Sequence, residues 1–138
     1  MNCYLDSSVI LRHLFGEKNP LKEWKKIKLG FSSRLLRLEC FRTLDRLHVS
    51  GHISHDDISH RLSGLHEMMS HIGFLPITPT ILERAEQSLH TPIATLDSIH
   101  LITALAWQEK HGKDFLFATH DEQLATAARS YGLDVIGI

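Results

Sequence analysis

Short apolar runs and longer stripes with a spacing of three and four alternate along the chain, and they predict strands separated by helices. Cys3-Tyr4-Leu5 is a brief apolar run that stops at the cap residues Asp6-Ser7-Ser8. Val9, Ile10, Leu11, Leu14 and Phe15 then predict a short helix closed by Gly16. Pro20 opens a second helical stretch, Leu21 to Leu29, with lysines on its outer positions, and Gly30-Phe31-Ser32-Ser33 reads as a strand. From Arg34 to Val49 the positions Leu35, Leu38, Phe41, Leu44 and Leu47 predict an amphipathic helix ended by Ser50-Gly51. Ser54 to Asp57 cap another helix to about His71, with Ile58, Leu62, Leu65, Met68 and Met69 inward. Gly73 to Ile77 is a strand whose Pro76 points to a sheet edge. Thr78-Pro79 starts a helix through Ile81, Leu82, Ala85 and Leu89. Thr95 to His111 is the clearest helix, with Ile99, Ile102, Leu105 and Ala106 periodic. Phe115 to Thr119 is an apolar strand of the kind buried on both faces. A helix from Asp121 to Tyr131 and a strand from Leu133 to Ile136 complete the order.

This alternation predicts an α/β fold with three layers, α/β/α, around a central, mainly parallel sheet. The 138 residues fit one domain over 1–138, long enough to bury a core without staples. Hydrophobic residues at 43% and charged residues at 22% exclude disordered and fibrous classes. Cys3 and Cys40 have no disulfide framework or metal-ligand spacing, which fits a reducing compartment. The N-terminus lacks the features of a signal peptide and no apolar run suits a membrane span, so the expectation is a soluble cytoplasmic protein without membrane contact.

The net charge of −1 hides a polarised chain. Between Arg12 and Ser50 ten basic residues face four acidic ones, a balance of +6 that leaves −7 for the remainder. Such a chain can offer a basic face to phosphate, with Arg12, Lys25, Lys26 and Arg37 as the RNA-binding candidates, although a solvated helical surface gives the same pattern. Trp24 and Trp107 are stacking candidates, with half-burial under a helix as the ordinary alternative.

Ligands in parallel α/β folds sit outside the carboxyl ends of the strands. Asp6, the Ser32-Ser33 pair and Asp121 all follow predicted strands. Glu39 stands between Leu38 and Cys40 inside a helix, and Asp97 opens another. If the first and fourth strands are neighbours, several of these acids share one pocket. Carboxylates in such a pocket need a cation or shifted protonation, and an oxygen-only donor set suits Mg2+ or Mn2+ better than Zn2+. Asp6, Asp97 and Asp121 are equally good capping or first-turn residues; Glu39, in mid-helix, gains little from that role.

Four segments in order carry a resemblance. Tyr4-Leu5-Asp6-Ser7-Ser8-Val9-Ile10, Ser32-Ser33 with Leu38-Glu39, Thr95-Leu96-Asp97-Ser98-Ile99-His100-Leu101-Ile102-Thr103-Ala104, and Phe117-Ala118-Thr119-His120-Asp121-Glu122-Gln123-Leu124-Ala125 resemble the motifs of PIN-domain ribonucleases. Gly132-Leu133-Asp134-Val135 resembles their last strand, and the size is similar to that of VapC-type toxins. The resemblance implies that Asp6, Glu39, Asp97 and Asp121 are catalytic and bind the metal, that Ser7 lends a hydroxyl near it, and that Thr119 helps fix the site. It implies an endoribonuclease using metal-activated water, leaving a 5′-phosphate and a 3′-hydroxyl. It further implies the toxin half of a toxin–antitoxin pair, a homodimer whose cognate antitoxin covers the acid pocket with a basic side chain. Leu14, Phe15 and Trp24 are the expected apolar surface for that partner or the second subunit. Alternatives are a stand-alone RNA-processing nuclease and a non-catalytic RNA- or protein-binding module of the same fold.

Other chemistries fit less well. A haloacid-dehalogenase phosphatase wants an Asp where Ser8 stands, a receiver domain wants a Lys after its last strands, and no glycine-rich phosphate loop is present. Among eleven histidines, His52, His55 and His60 come nearest to zinc spacing, but no cysteine joins them and their helical faces differ. Asp114 precedes its strand and is left outside the site. His100, three residues after Asp97, is assigned to helix packing, although the shared helix face allows contact with the pocket.

Overall fold

Strand β1, Asn2–Leu5, lies at the centre of the molecule, and the computed structural model describes residues 1–138 around it. It pairs with β2 (Leu29–Ser33) on one side and β4 (Leu116–Ala118) on the other. β3 (Ile72–Leu75) and β5 (Val135–Ile136) are the edges, giving the order β3-β2-β1-β4-β5 with every pair parallel. Because β1 has neighbours reached by connections in opposite directions, the gap between β1 and β4 is the switch point at which such sheets bind ligands.

Six helices cover the two faces. Alternation along β1 sends Cys3 and Leu5 to one face and Tyr4 to the other. Cys3 and Leu5 join buried residues of α1 (Ser7–Phe15), α2 (Leu35–Val49) and α3 (His55–Ser70). Tyr4, Phe31 and Phe117 join α4 (Pro79–Ala85), α5 (Thr95–His111) and α6 (Glu122–Ser130). The three-layer α/β/α arrangement follows. No helix is long and apolar enough to cross a membrane.

Local signals explain most boundaries. Asp6 caps α1 and Gly16, at φ 63, closes it in the left-handed conformation that glycine adopts without strain. Ser54 and Thr78 cap α3 and α4 by accepting from Asp57 N and Ile81 N. Pro76 follows β3, which is an edge strand as its proline suggested.

Several predicted features are corrected. The helical stretch Leu21 to Leu29 shrinks to one 3-10 turn, Trp24–Lys26, because Leu29 must already be extended to pair with Asn2. Leu38 leaves the apolar stripe of α2 and is 60% exposed, while Leu36 and Cys40 take the buried positions. Helix α4 ends at Ala85, short of Leu89. In α5 all of Ser98 to Leu105 is buried, so its periodic stripe understates a helix enclosed by α4, α6, α2 and β2. Leu14, Phe15 and Trp24 are half-buried and pack against the core of α1–α3.

Candidate active site

The carboxyl ends of β1 and β4 bring two helix starts together. Asp6, directly after β1, caps α1 and is 4% exposed. Its Oδ2 accepts from Ser8 N at 3.3 Å, Ser8 Oγ at 2.5 Å and Thr119 Oγ1 at 3.0 Å. Its Oδ1 lies 3.9 Å from His100 Nε2. One oxygen is thus saturated by structural donors, and the other faces the site. Asp121, after β4, repeats the device: its Oδ1 accepts from Leu124 N at 2.8 Å and caps α6. Capping and site placement are therefore not competing roles here, since the same loop geometry that starts each helix aims its acid at the switch point.

Glu39 and Asp97 enter from the two helical layers. From α2, Glu39 accepts from Ser7 Oγ at 3.3 Å through Oε1 and is bonded to His100 Nε2 at 2.7 Å through Oε2. His100, on α5, is fully buried, and its Nδ1 meets Tyr4 Oη at 2.9 Å. Tyr4 Oη also accepts from Ser33 N at 3.1 Å. Burial opposes the charged imidazole, yet the Glu39 hydrogen bond and the fields of Asp6, Glu39 and Asp97 outweigh it and raise the pKa of His100. In either charge state Nε2 carries the proton given to Glu39. The assignment of His100 to helix packing is thus corrected: one turn beyond Asp97, it reaches the pocket and holds Glu39.

Asp97 reports the company it keeps. Its carboxyl is pushed up from 3.8 to about 6 by burial first, then by the fields of Asp6, Asp121 and Glu39, with His100 pulling the other way. The other three sequence-selected acids therefore all bear on Asp97. No three Asp, Glu, His or Cys side chains converge as a ready-made metal cage. Like charges drawn to about 4 Å repel by roughly 4 kcal/mol at an effective dielectric near 20, so bare carboxylates favour a wider spacing. The donor chemistry nonetheless fits a hard divalent cation: carboxylate oxygens, with Ser7 at the rim.

The supporting residues divide. Ser7 touches Glu39 and Thr119 touches Asp6, so both meet the site. Ser8 is a residue that sequence reasoning missed: its Oγ donates to Asp6 and accepts from His120 N at 2.9 Å, tying the β1 loop to the β4 loop. Ser32 and Ser33 serve the scaffold, Ser32 Oγ donating to Leu5 O at 2.6 Å and Ser33 Oγ accepting from Leu35 N at the start of α2. The thiols of Cys3 and Cys40 are buried, which pushes both up, Cys3 to about 12.

The basic candidates are spread out. Arg12 lines a depression of about 530 Å3 with Lys22, Glu122 and His120, the neighbour of Asp121, and pairs with Glu17 at 3.9 Å. Lys25 and Lys26 are exposed on the 3-10 turn, and Arg37 lies over the rings of Phe41 and Phe74. Trp24 stacks on His13, and Trp107 packs on Phe31 and His111. The largest depression, about 710 Å3 between α4 and the start of α5, contains none of the four acids.

The sheet is parallel and five-stranded, and Asp6 and Asp121 follow its neighbouring strands β1 and β4. The chain matches the PIN domain family over residues 3–130, and it belongs to that family. PIN domains are in general metal-dependent nucleases. No curated protein matches the chain.

Proposed function

We propose that this chain is an Mg2+- or Mn2+-dependent endoribonuclease and the toxin of a VapC-type toxin–antitoxin pair, acting as a homodimer. What carries the nuclease reading is that Asp6, Glu39 and Asp121 all bear on Asp97, whose carboxyl is pushed up to about 6 by burial first and by their three fields second. A pocket of that kind invites a divalent cation. Asp6, Glu39, Asp97 and Asp121 would hold the ion, which when bound supplies Lewis acidity and positive charge facing a scissile phosphate. The chain's own residues do the rest. Ser8 and Thr119 fix one Asp6 oxygen so that the other is presented, Ser7 and His100 fix Glu39, and the α6 cap fixes Asp121.

RNA docking rests on the basic segment. Replacing Lys25 and Lys26 together by Ala is expected to lower the salt-dependence slope of single-stranded RNA binding by about 1.4, at about 0.7 per lost phosphate contact. A filter-binding series over salt concentration measures it, and an unchanged slope removes both lysines from the interface.

The toxin reading is supported by the resemblance of the motifs; Leu38 and Leu96, 60% and 47% exposed, directly precede Glu39 and Asp97 in the chain. An antitoxin segment with an apolar stretch and one Arg or Lys matches that surface. Induced expression in a host lacking the partner tests it. Growth arrest with new 5′-phosphate RNA ends, both abolished by Asp6→Asn, is the expected result. Unaffected growth with active purified enzyme points to a stand-alone RNA-processing nuclease.

A further inference from the structure

Glu39 differs from the other acids of the pocket in having no helix terminus to hold it. Asp6 and Asp121 are fixed by the caps they form, and Asp97 sits in the first turn of α5. Glu39 lies in the body of α2 on a long side chain, and its shortest hydrogen bond is the 2.7 Å contact to His100. We infer that His100 is the positioning residue for Glu39, and that Tyr4 sets the imidazole tautomer that allows it. This rests on the reading of the acids as a divalent-cation site.

The hydrogen-bond chain runs in one direction. Ser33 N–H donates to Tyr4 Oη, which leaves the tyrosine proton free for His100 Nδ1. With Nδ1 accepting, the single proton of a neutral ring resides on Nε2 and is donated to Glu39 Oε2. Every member is buried or nearly so: Tyr4, Ser33 and His100 are fully buried, and the Glu39 side chain is 16% exposed. Tyr4 is itself locked, stacked on Phe117 at 5.1 Å and edge-on to Phe31 at 5.6 Å. The chain thus transmits the rigidity of β1 and β2 to a flexible carboxylate on α2. Glu39 Oε2 is consumed by this bond, and Oε1, held only by the longer Ser7 contact, is the oxygen presented to a cation.

A histidine that merely fills the core makes a different prediction, and two substitutions separate them. The side-chain amide of Gln places an N–H near the position of Nε2, whereas that of Asn reaches only the position of Nδ1. Calorimetric Mn2+ titration of His100→Gln is expected to give affinity within about threefold of wild type, while His100→Asn weakens it by about 10-fold or more, the usual cost of losing a partner behind a metal ligand. Equal Mn2+ affinities for the two variants, or losses that follow their melting temperatures alone, overturn the inference while leaving the acid site standing. A wild type that binds no Mn2+ overturns the acid site and this inference with it. The imidazole 15N spectrum of unsubstituted protein at alkaline pH gives a readout that needs no variant. The proton of His100 is expected on Nε2, and a proton on Nδ1 overturns the inference.

Discussion

Asp97→Asn is expected to disable the protein and at the same time to make its metal-free form harder to unfold. The carboxyl of Asp97 is raised from 3.8 to about 6 in the folded state, by burial and by Asp6, Asp121 and Glu39. A raised acid costs the fold nothing well below pH 4, where both states are protonated. The cost grows between about pH 4 and pH 6, as the unfolded chain releases a proton that the folded chain keeps, and is complete above that window. At 1.36 kcal/mol per unit the full shift is near 3 kcal/mol, and screening of a half-buried group brings this to on the order of 1–2 kcal/mol. Asn escapes the cost. In EDTA at pH 8 the variant is expected to melt a few degrees above wild type, with the two converging as the pH falls to about 3. In the same variant Mn2+ affinity and RNA cleavage are expected to fall at least about 100-fold, since a direct ligand matters no less than the partners behind it. Thermal melts across pH and calorimetry check the two halves. A variant no more stable at pH 8, or one that binds Mn2+ like wild type, refutes the assignment of Asp97.

Gly137→Ala is expected to cost about 2–5 kcal/mol, combining a positive-φ penalty of about 1–2 with overpacking of about 1–3. Gly137 lies at φ +102, and a Cβ there would stand 2.5 Å from Thr119 O, a backbone atom that cannot swing away. His120 Nδ1 is already tied to Gly137 O at 2.6 Å, so the C-terminal loop and the β4 loop move together or not at all. The consequence reaches the site, because Thr119 Oγ1 donates to Asp6 and accepts from Asp121 N. Gly51→Ala is the control: its φ is +80, but nothing lies within 4 Å of the added carbon, so only the conformational penalty remains. Urea unfolding of the two variants gives the difference. Equal losses would mean that the Thr119 contact yields freely.

Much of this was legible from residue pattern. Apolar runs ending in Asp or Ser announce strands that hand over to capped helices, and that rule placed Asp6 and Asp121 at one sheet edge before any geometry was known. Asp97 followed from its position at the start of the longest helix. What the pattern missed has physical causes. His100 sits among Ile99, Leu101 and Ile102, and periodicity cannot tell a buried imidazole that packs from one that reaches across to another helix. Only the crossing of α5 over β2 and its approach to α2 brings Tyr4 and Glu39 to its two nitrogens. Ser8 is not singled out by pattern, because a first-turn serine beside a capping Asp reads as part of the same cap. The stretch after Pro20 reads as helical because Pro opens it and lysines take its outer positions, a pattern that a single 3-10 turn at Trp24–Lys26 carries equally well. Leu38, at 60% exposure, leaves the apolar stripe because Leu36, Cys40 and Leu44 are the α2 residues that face the core.

The central claim is that Asp6, Glu39, Asp97 and Asp121 form one divalent-cation site that cleaves RNA. Its most direct test is cleavage of end-labelled single-stranded RNA by purified protein with Mg2+, with Mn2+ and with EDTA, beside Asp6→Asn. The account predicts cleavage with either ion, none in EDTA, restoration when the ion is returned, and none at any condition for Asp6→Asn. Cleavage that persists in EDTA, or that Asp6→Asn retains, contradicts it.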